Sequence, residues 1–391
     1  MSFTTQNVSN CSNRTFERDL FDADGNIRIP FYAIIFLLSV MGNSLVILTL
    51  FQNRRMRTIT NVFLLNLSIS DLLLAVFCMP FTLIPLLLRN FIFGEFMCIA
   101  IRYLQAVSVC VSCFTLVAIS AERYFAICRP LRSRTWQTLS HAYKTIIAIW
   151  TCALLLMIPI AAAQEIHPLQ TGKKACREIW GDDLRTLQVI YSIFLVILLL
   201  IIPLCVMSMA YGAMSYKLWF TMKQQMQEQS DSNETFLSSN NEINMASMKK
   251  RHYEGIANVS LRQTNVRSSN LNRKRVIKML FVVVFEYFVC CSPMYILNTW
   301  KIVDYKDIHP RLSDAAWSLI LLLFYASSFI HPITYCFMNK NFRKAFLCVF
   351  RCFISKTKPL GRSCTEMSTM NTSSLPKRSN KMNKQTSQDL A

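Results

Sequence analysis

Of 391 residues, 53% are hydrophobic and only 16% are charged, yet 42 Lys and Arg against 22 Asp and Glu leave a formal net charge of +20. The basic residues must therefore be concentrated outside the apolar segments, which points to a membrane protein. A nucleic-acid binder can be as basic, but it would not carry repeated apolar runs of about 20 residues, the length that crosses a bilayer core. Fifteen cysteines do not make a disulfide scaffold here, because Cys110, Cys113, Cys152, Cys205, Cys290 and Cys291 lie inside apolar runs, where a thiol is a small hydrophobe.

Residues 1–30 are polar and charged and lack the apolar core and small-residue cleavage site of a signal peptide, so the first apolar run is expected to insert itself. Sequons at Asn7, Asn10 and Asn13 predict a glycosylated, extracellular segment, and the mixed charges around them agree. Apolar spans follow at Phe31 to Phe51, Val62 to Leu88, Phe96 to Cys128, Lys144 to Ala163, Leu187 to Lys217, Lys274 to Trp300 and Asp314 to Met338. The pattern predicts an all-α membrane protein, a seven-transmembrane helix bundle over 31–338. Pro80, Pro85, Pro159, Pro203, Pro293 and Pro332 should kink these helices rather than end them.

Arg54, Arg55 and Arg57 follow the first span, Arg129, Arg132 and Arg134 the third, and Lys249, Lys250, Arg251, Arg273, Lys274 and Arg275 precede the sixth. Retention of basic residues on the cytoplasmic side then puts the amino terminus outside and the carboxyl terminus in the cytoplasm. The stretch 222–272, rich in Gln, Ser and Asn and poor in aromatics, reads as a mostly disordered third cytoplasmic loop whose ends extend the flanking helices. Residues 339–350 alternate basic residues with Phe342, Phe346, Leu347 and Phe350, the pattern of an amphipathic helix on the membrane surface, with Cys348 and Cys352 as palmitoylation candidates. Residues 351–391 read as a disordered cytoplasmic tail whose Ser and Thr residues can be phosphorylated.

Charged groups within spans are expensive and mark function by default. Asp71 sits ~15 Å above the first cytoplasmic loop by helical rise, and Ser112, ~16 Å above Arg123, can face it at equal depth. A small cation such as sodium, or a proton, fits such a pair, and so does an Asp satisfied by helix–helix hydrogen bonds alone. Glu122, Arg123 and Tyr124 end the third span, where Arg can pair with its neighbour or reach a partner protein. Cys98 begins that span ~37 Å away, one full crossing. A bridge from Cys98 to Cys176 would pin the second external loop over the bundle.

Together these features resemble the rhodopsin-like (class A) G-protein-coupled receptors. The supporting residues are Gly42-Asn43, Leu67-Ser68-Ile69-Ser70-Asp71, Glu122-Arg123-Tyr124, Trp150, Pro203 with Tyr211, and Pro332 with Tyr335. The resemblance implies no cofactor and no catalysis, heterotrimeric G protein and arrestin as partners, and rearrangement of Arg123, Tyr211 and Tyr335 when helix 6 swings outward. Amine receptors place an aspartate where Gln105 stands, and retinal proteins need a lysine in the last helix, which Ser313 to Met338 lacks.

Within the peptide branch the chain is similar to the cholecystokinin/gastrin receptors and their sulfakinin-type relatives. The matches are Arg54-Arg55-Met56-Arg57-Thr58, Phe77-Cys78-Met79-Pro80-Phe81, Phe91-Ile92-Phe93-Gly94, Ser133-Arg134-Thr135-Trp136-Gln137-Thr138 and Tyr335-Cys336-Phe337-Met338-Asn339-Lys340. This likeness implies Gq coupling and calcium release, Arg177 as partner of a sulfated ligand tyrosine, and Asn298 with Lys301 as partners of an acidic, amidated carboxyl end. Solvated loop charges are the plainer account of Arg177 and Lys301. Competing assignments are a receptor of the orexin or neuropeptide FF type, and an orphan receptor whose altered switches change basal activity.

Three departures bear on that last alternative. The family's helix 6 usually reads Cys-Trp-x-Pro, against Cys290-Cys291-Ser292-Pro293 here, and helix 7 usually reads Asn-Pro-x-x-Tyr, against His331-Pro332-Ile333-Thr334-Tyr335. Glu286 lies ~18 Å above Lys274, near mid-membrane. Either Glu286 and His331 pair and restrain helix 6 against helix 7, or a neutral Glu286 sits beside an independently bonded His331. Ala175, where the family carries a larger residue, leaves ligand selectivity open.

Overall fold

The computed structural model describes residues 29–53, 56–169, 172–239, 248–303, 314–338, 342–344, 346 and 347. Side chains at 134, 182, 228–239, 248–270, 272, 273, 314 and 315 are outside that description. Seven helices are long and apolar enough to cross a membrane. They are α1 (Ile29–Gln52), α2 (Ile59–Leu88), α3 (Gly94–Cys128), α4 (Leu139–Ala162), α5 (Arg185–Gln227), α6 (Met248–Val303, apolar from Lys274) and α7 (Asp314–Met338).

The helix starts are set by side-chain caps as well as by apolarity. Thr58 accepts a hydrogen bond from the Asn61 backbone at 3.3 Å and Thr138 from the His141 backbone at 3.2 Å, so α2 and α4 begin at Ile59 and Leu139, ahead of their apolar runs. Arg57 closes the end of α1, donating to the carbonyls of Leu50 and Phe51 at 3.1 and 2.9 Å.

All six prolines stay within spans, by different means. Widened π-turns at Leu74–Cys78 and Ile197–Ile201 stand just before Pro80 and Pro203, where a missing N–H disturbs the helical ladder. Pro85, Pro293 and Pro332 lie inside continuous helix, and α4 breaks at Met157 and resumes as Ile158–Ala162 with Pro159 in its first turn. Within 222–272, helical backbone continues α5 through Ser239 and leads into α6 from Met248, and a helix continued from a membrane span needs no new nucleus.

α3 is the centre of the bundle, packed against α2, α4 and α5, with 67% of its apolar window buried against 17% for α4 and for α5. Bulky residues such as Ile147, Leu155 and Phe285 face outward, as a surface in contact with hydrocarbon requires. Polar bonds register the helices: Asn66 Nδ2 donates to Thr115 Oγ1 and Trp150 Nε1 donates to Asn66 Oδ1, both at 2.8 Å, joining α2, α3 and α4. Asn43 Nδ2 donates to the Ser39 and Ser328 carbonyls at 2.9 and 2.8 Å, joining α1 to α7. Gly42 permits that approach, because a Cβ there would meet Pro332 Cβ at 3.0 Å.

Between α4 and α5 runs an antiparallel hairpin, β1 (Gln164–Pro168) and β2 (Lys174–Glu178), with Ile166 opposite Cys176. A disulfide joins Cys176 to Cys98 at the start of α3. Asn7, Asn10, Asn13, Cys348, Cys352 and the tail 351–391 lie outside the described residues. Of 339–350, residues 342–344, 346 and 347 are described, with Phe342 and Phe346 buried and Phe342 6.2 Å from the Tyr335 ring.

Candidate functional site

Beneath the pinned hairpin a cavity of about 830 Å³ opens between α3, α5, α6 and α7. The four residues singled out from sequence all line it: Gln105 from α3, Arg177 from β2, Asn298 and Lys301 from α6. Gln105 is buried and its Nε2 donates to Tyr325 Oη at 3.5 Å, which donates to Thr82 Oγ1 at 3.1 Å, so the floor ties α3, α7 and α2 together. Lys301 Nζ stands 5.6 Å from the centre of the Trp317 ring. Asn298, Lys301 and Arg177 are exposed, as open cavity walls allow.

A further polar group of this cavity was not singled out from sequence. Arg102 lines the same cavity from α3, half-buried, and donates from Nη1 to Gln105 Oε1 at 3.5 Å. Its signal was available: an arginine one turn before Gln105 within an apolar span is costly unless it faces the bundle interior.

Deeper in the bundle, Asp71, His331 and Glu286 come together, and each is buried. His331 Nδ1 is 2.8 Å from Asp71 Oδ2, a hydrogen bond, and Nε2 is 3.8 Å from Glu286 Oε1, an ion-pair separation beyond hydrogen-bonding reach. Glu286 therefore does lie beside His331, but the bonded partner is Asp71, 260 residues away on α2. Ser112 is held elsewhere, its hydroxyl 2.9 Å from that of Ser70. The imidazole thus occupies one of the two Asp71 carboxylate oxygens, Oδ2. Among the described residues no group of three or more His, Cys, Asp and Glu is arranged to hold a metal ion. Cys291 is buried nearby on α6.

At the opposite end of α3 from the disulfide, Arg123 Nη2 donates to Thr60 Oγ1 on α2. Glu122 approaches His141 Nδ1 on α4 at 3.6 Å, while Gln137 Nε2 donates to the Glu122 carbonyl at 2.9 Å. His141 packs edge-on against Trp136, which packs on Phe125 next to Tyr124. Tyr211 on α5 and Ser120 on α3 share a hydrogen bond of 3.1 Å. Tyr335 is buried, its hydroxyl without a hydrogen-bond partner among the described residues. Unpartnered buried polar groups are costly.

The family described as 7 transmembrane receptor (rhodopsin family) matches residues 42–335. This chain belongs to that family. It is a multi-pass membrane receptor and not an enzyme. Among its relatives, the receptor is 42% identical over 353 residues to the cholecystokinin receptor type A of Cavia porcellus, covering 83% of this chain and 81% of that one. It is 40% identical over 347 residues to the cholecystokinin receptor type A of Homo sapiens, with coverage of 83% and 81%. Against the gastrin/cholecystokinin type B receptor of Canis lupus familiaris it is 41% identical over 356 residues, covering 82% and 78%.

Proposed function

We propose that the receptor responds to an extracellular peptide of the cholecystokinin/gastrin type and signals to a heterotrimeric G protein, Gq by resemblance, with calcium as the readout. The supporting observation is the cavity, which gathers Gln105, Arg177, Asn298 and Lys301 under the disulfide-bridged hairpin. In this reading the hairpin and amino terminus face outside, and the end carrying Arg123 faces the cytoplasm, where basic loops are retained. Arg177 then serves a sulfated tyrosine, and Asn298 with Lys301 an acidic, amidated carboxyl end, because sulfate and carboxylate call for fixed cationic donors. Glycosylation at Asn7, Asn10 and Asn13, acylation at Cys348 or Cys352 and arrestin recruitment by a phosphorylated tail complete the proposal.

Calcium in transfected cells tests it, with sulfated and unsulfated amidated cholecystokinin-type peptides on the intact receptor and on Arg177→Ala. A sulfated peptide that acts at the lower concentration, and loses that advantage on Arg177→Ala, supports both ligand class and sulfate site. Silence toward both peptides from receptor present at the surface would reject the ligand class.

A second reading has its own support, namely a receptor with altered switches and unusual basal activity. His331 stands between Asp71 and Glu286 and so spans α2, α7 and α6, while Cys291 replaces the bulky residue usual in the family. Signalling without ligand, compared between the intact receptor and His331→Asn, separates the two. Equal basal output would dismiss this second reading.

A further inference from the structure

We infer that Arg102 on α3 anchors an acidic side chain of the peptide, receiving its carboxylate jointly with Lys301 on α6. The inference rests on the cavity being the peptide site and adds a specificity-determining residue to it. The cavity wall contains Arg102, Arg177, Arg185 and Lys301 against one carboxylate, Glu178, whose Oε1 already accepts from the Trp180 indole at 2.6 Å. Among the described residues, no carboxylate lies within ion-pair distance of Arg102, Arg177 or Lys301. Arg177 and Arg102 both act against the charge of Lys301 and Glu178 favours it, so cations outnumber carboxylates there. Such convergence costs energy that an anion between them recovers.

Arg102 is the best placed of these cations. Arg177, Arg185 and Lys301 are exposed and their fields are weakened by water, whereas Arg102 is half-buried and lies ~6 Å deeper than the disulfide by helical rise from Cys98. Its guanidinium carries five donors, and among the described residues it makes one hydrogen bond, the long one to Gln105 at 3.5 Å. The remaining fork suits bidentate recognition of a carboxylate, while the ammonium of Lys301 approaches as a point charge from across the cavity. A peptide lacking the acid would desolvate Arg102 without pairing it, which is how such a site rejects neutral analogues.

The test is a double-mutant cycle between receptor and ligand. Calcium potency is measured on intact receptor, Arg102→Gln and Arg102→Lys, each at matched surface expression. The probes are a sulfated, amidated cholecystokinin-type peptide with aspartate near its carboxyl end, the same peptide with that Asp changed to Asn, and the unsulfated peptide. A loss of about 10- to 100-fold is expected on Arg102→Gln for the acidic peptide, with little further loss for the Asn analogue, and partial rescue by Arg102→Lys. Losses that multiply, no loss at all, or coupling to sulfate instead of aspartate would overturn the carboxylate assignment.

If no such peptide activates the intact receptor, the ligand class fails but Arg102 is still judged, by melting of the purified protein in sodium sulfate against sodium chloride of equal ionic strength. Extra protection by sulfate that is diminished in Arg102→Gln upholds an anion site at Arg102. Identical protection of both proteins removes it.

Discussion

Around the cavity, Arg102, Arg177, Arg185 and Lys301 face a single lining carboxylate, Glu178, whereas in the interior His331 is flanked by two carboxylates, Asp71 at 2.8 Å and Glu286 at 3.8 Å. Both regions concentrate ionisable groups inside a bundle that is otherwise apolar, but one is electrostatically open and the other closed. An open cluster stores repulsion that a ligand relieves; a closed one spends its attraction on holding helices together. Binding and restraint thus fall to different depths of the same helices, with α6 carrying Lys301 at one and Glu286 at the other.

The contrast breaks most visibly at His331. Replacing it by Leu leaves Asp71 and Glu286 buried without their shared partner, a loss of about 3–5 kcal/mol for a broken buried pair. Little receptor should then reach the surface, as counted by antibody to an external tag. Adding Asp71→Asn and Glu286→Gln to His331→Leu should restore it in part, because the uncompensated charges are removed. Normal surface levels of the single variant would mean that the interior is not held by charge.

A neutral bond elsewhere on α2 calibrates that effect. Asn66 joins Thr115 and Trp150, so Asn66→Ala strands the Trp150 indole N–H and should cost about 1–3 kcal/mol in thermal melting of the purified protein. A loss as large as that of His331→Leu would erase the distinction between ionic and neutral ties. Smaller still is the term between Glu286 and His331, which at 3.8 Å is an attraction without a hydrogen bond. Glu286→Gln and His331→Asn, singly and together, should show a coupling of about 0.5–1.5 kcal/mol, and strictly additive losses would mean that the two act independently.

How much of this was legible in the sequence differs between the two regions. The bounds of α7, Asp314–Met338, follow from apolarity alone, and the disulfide joins the two cysteines that the topology placed at one face. The starts of α2 and α4 were missed by a turn or so, because Thr58 and Thr138 carry the start signal as caps and not as apolar residues. The hairpin was missed because five-residue strands on an exposed loop offer little alternation. Arg177, Asn298 and Lys301 were named through the resemblance to the cholecystokinin/gastrin receptors and Gln105 through comparison with amine receptors, not from depth along a helix, and the cavity gathers all four. Asp71 with His331 was not legible, because depth along a helix is readable from one sequence while the rotation that turns two helices toward each other is not. The same blindness to rotation hid His141 as the neighbour of Glu122, whereas Arg102 was legible as a costly charge within an apolar span and was passed over.

The smallest expected effect is the most direct test of the open cluster. Lys301→Gln removes a cation opposed by Arg177 and Arg102 and favoured by Glu178, and its contact with Trp317 is made at the exposed end of α6. Relief of repulsion and loss of that contact oppose one another, and solvent weakens both, so the melting temperature of ligand-free receptor should move by no more than about 2 °C. Peptide potency should fall by tenfold or so in the same variant, since a fixed donor for the acid is gone. Stability and potency therefore separate at Lys301, whereas at His331 they should fall together. A large drop in melting temperature for Lys301→Gln would show that the lysine is already paired in the resting receptor, and the cavity would then have less unspent charge to offer an acidic ligand.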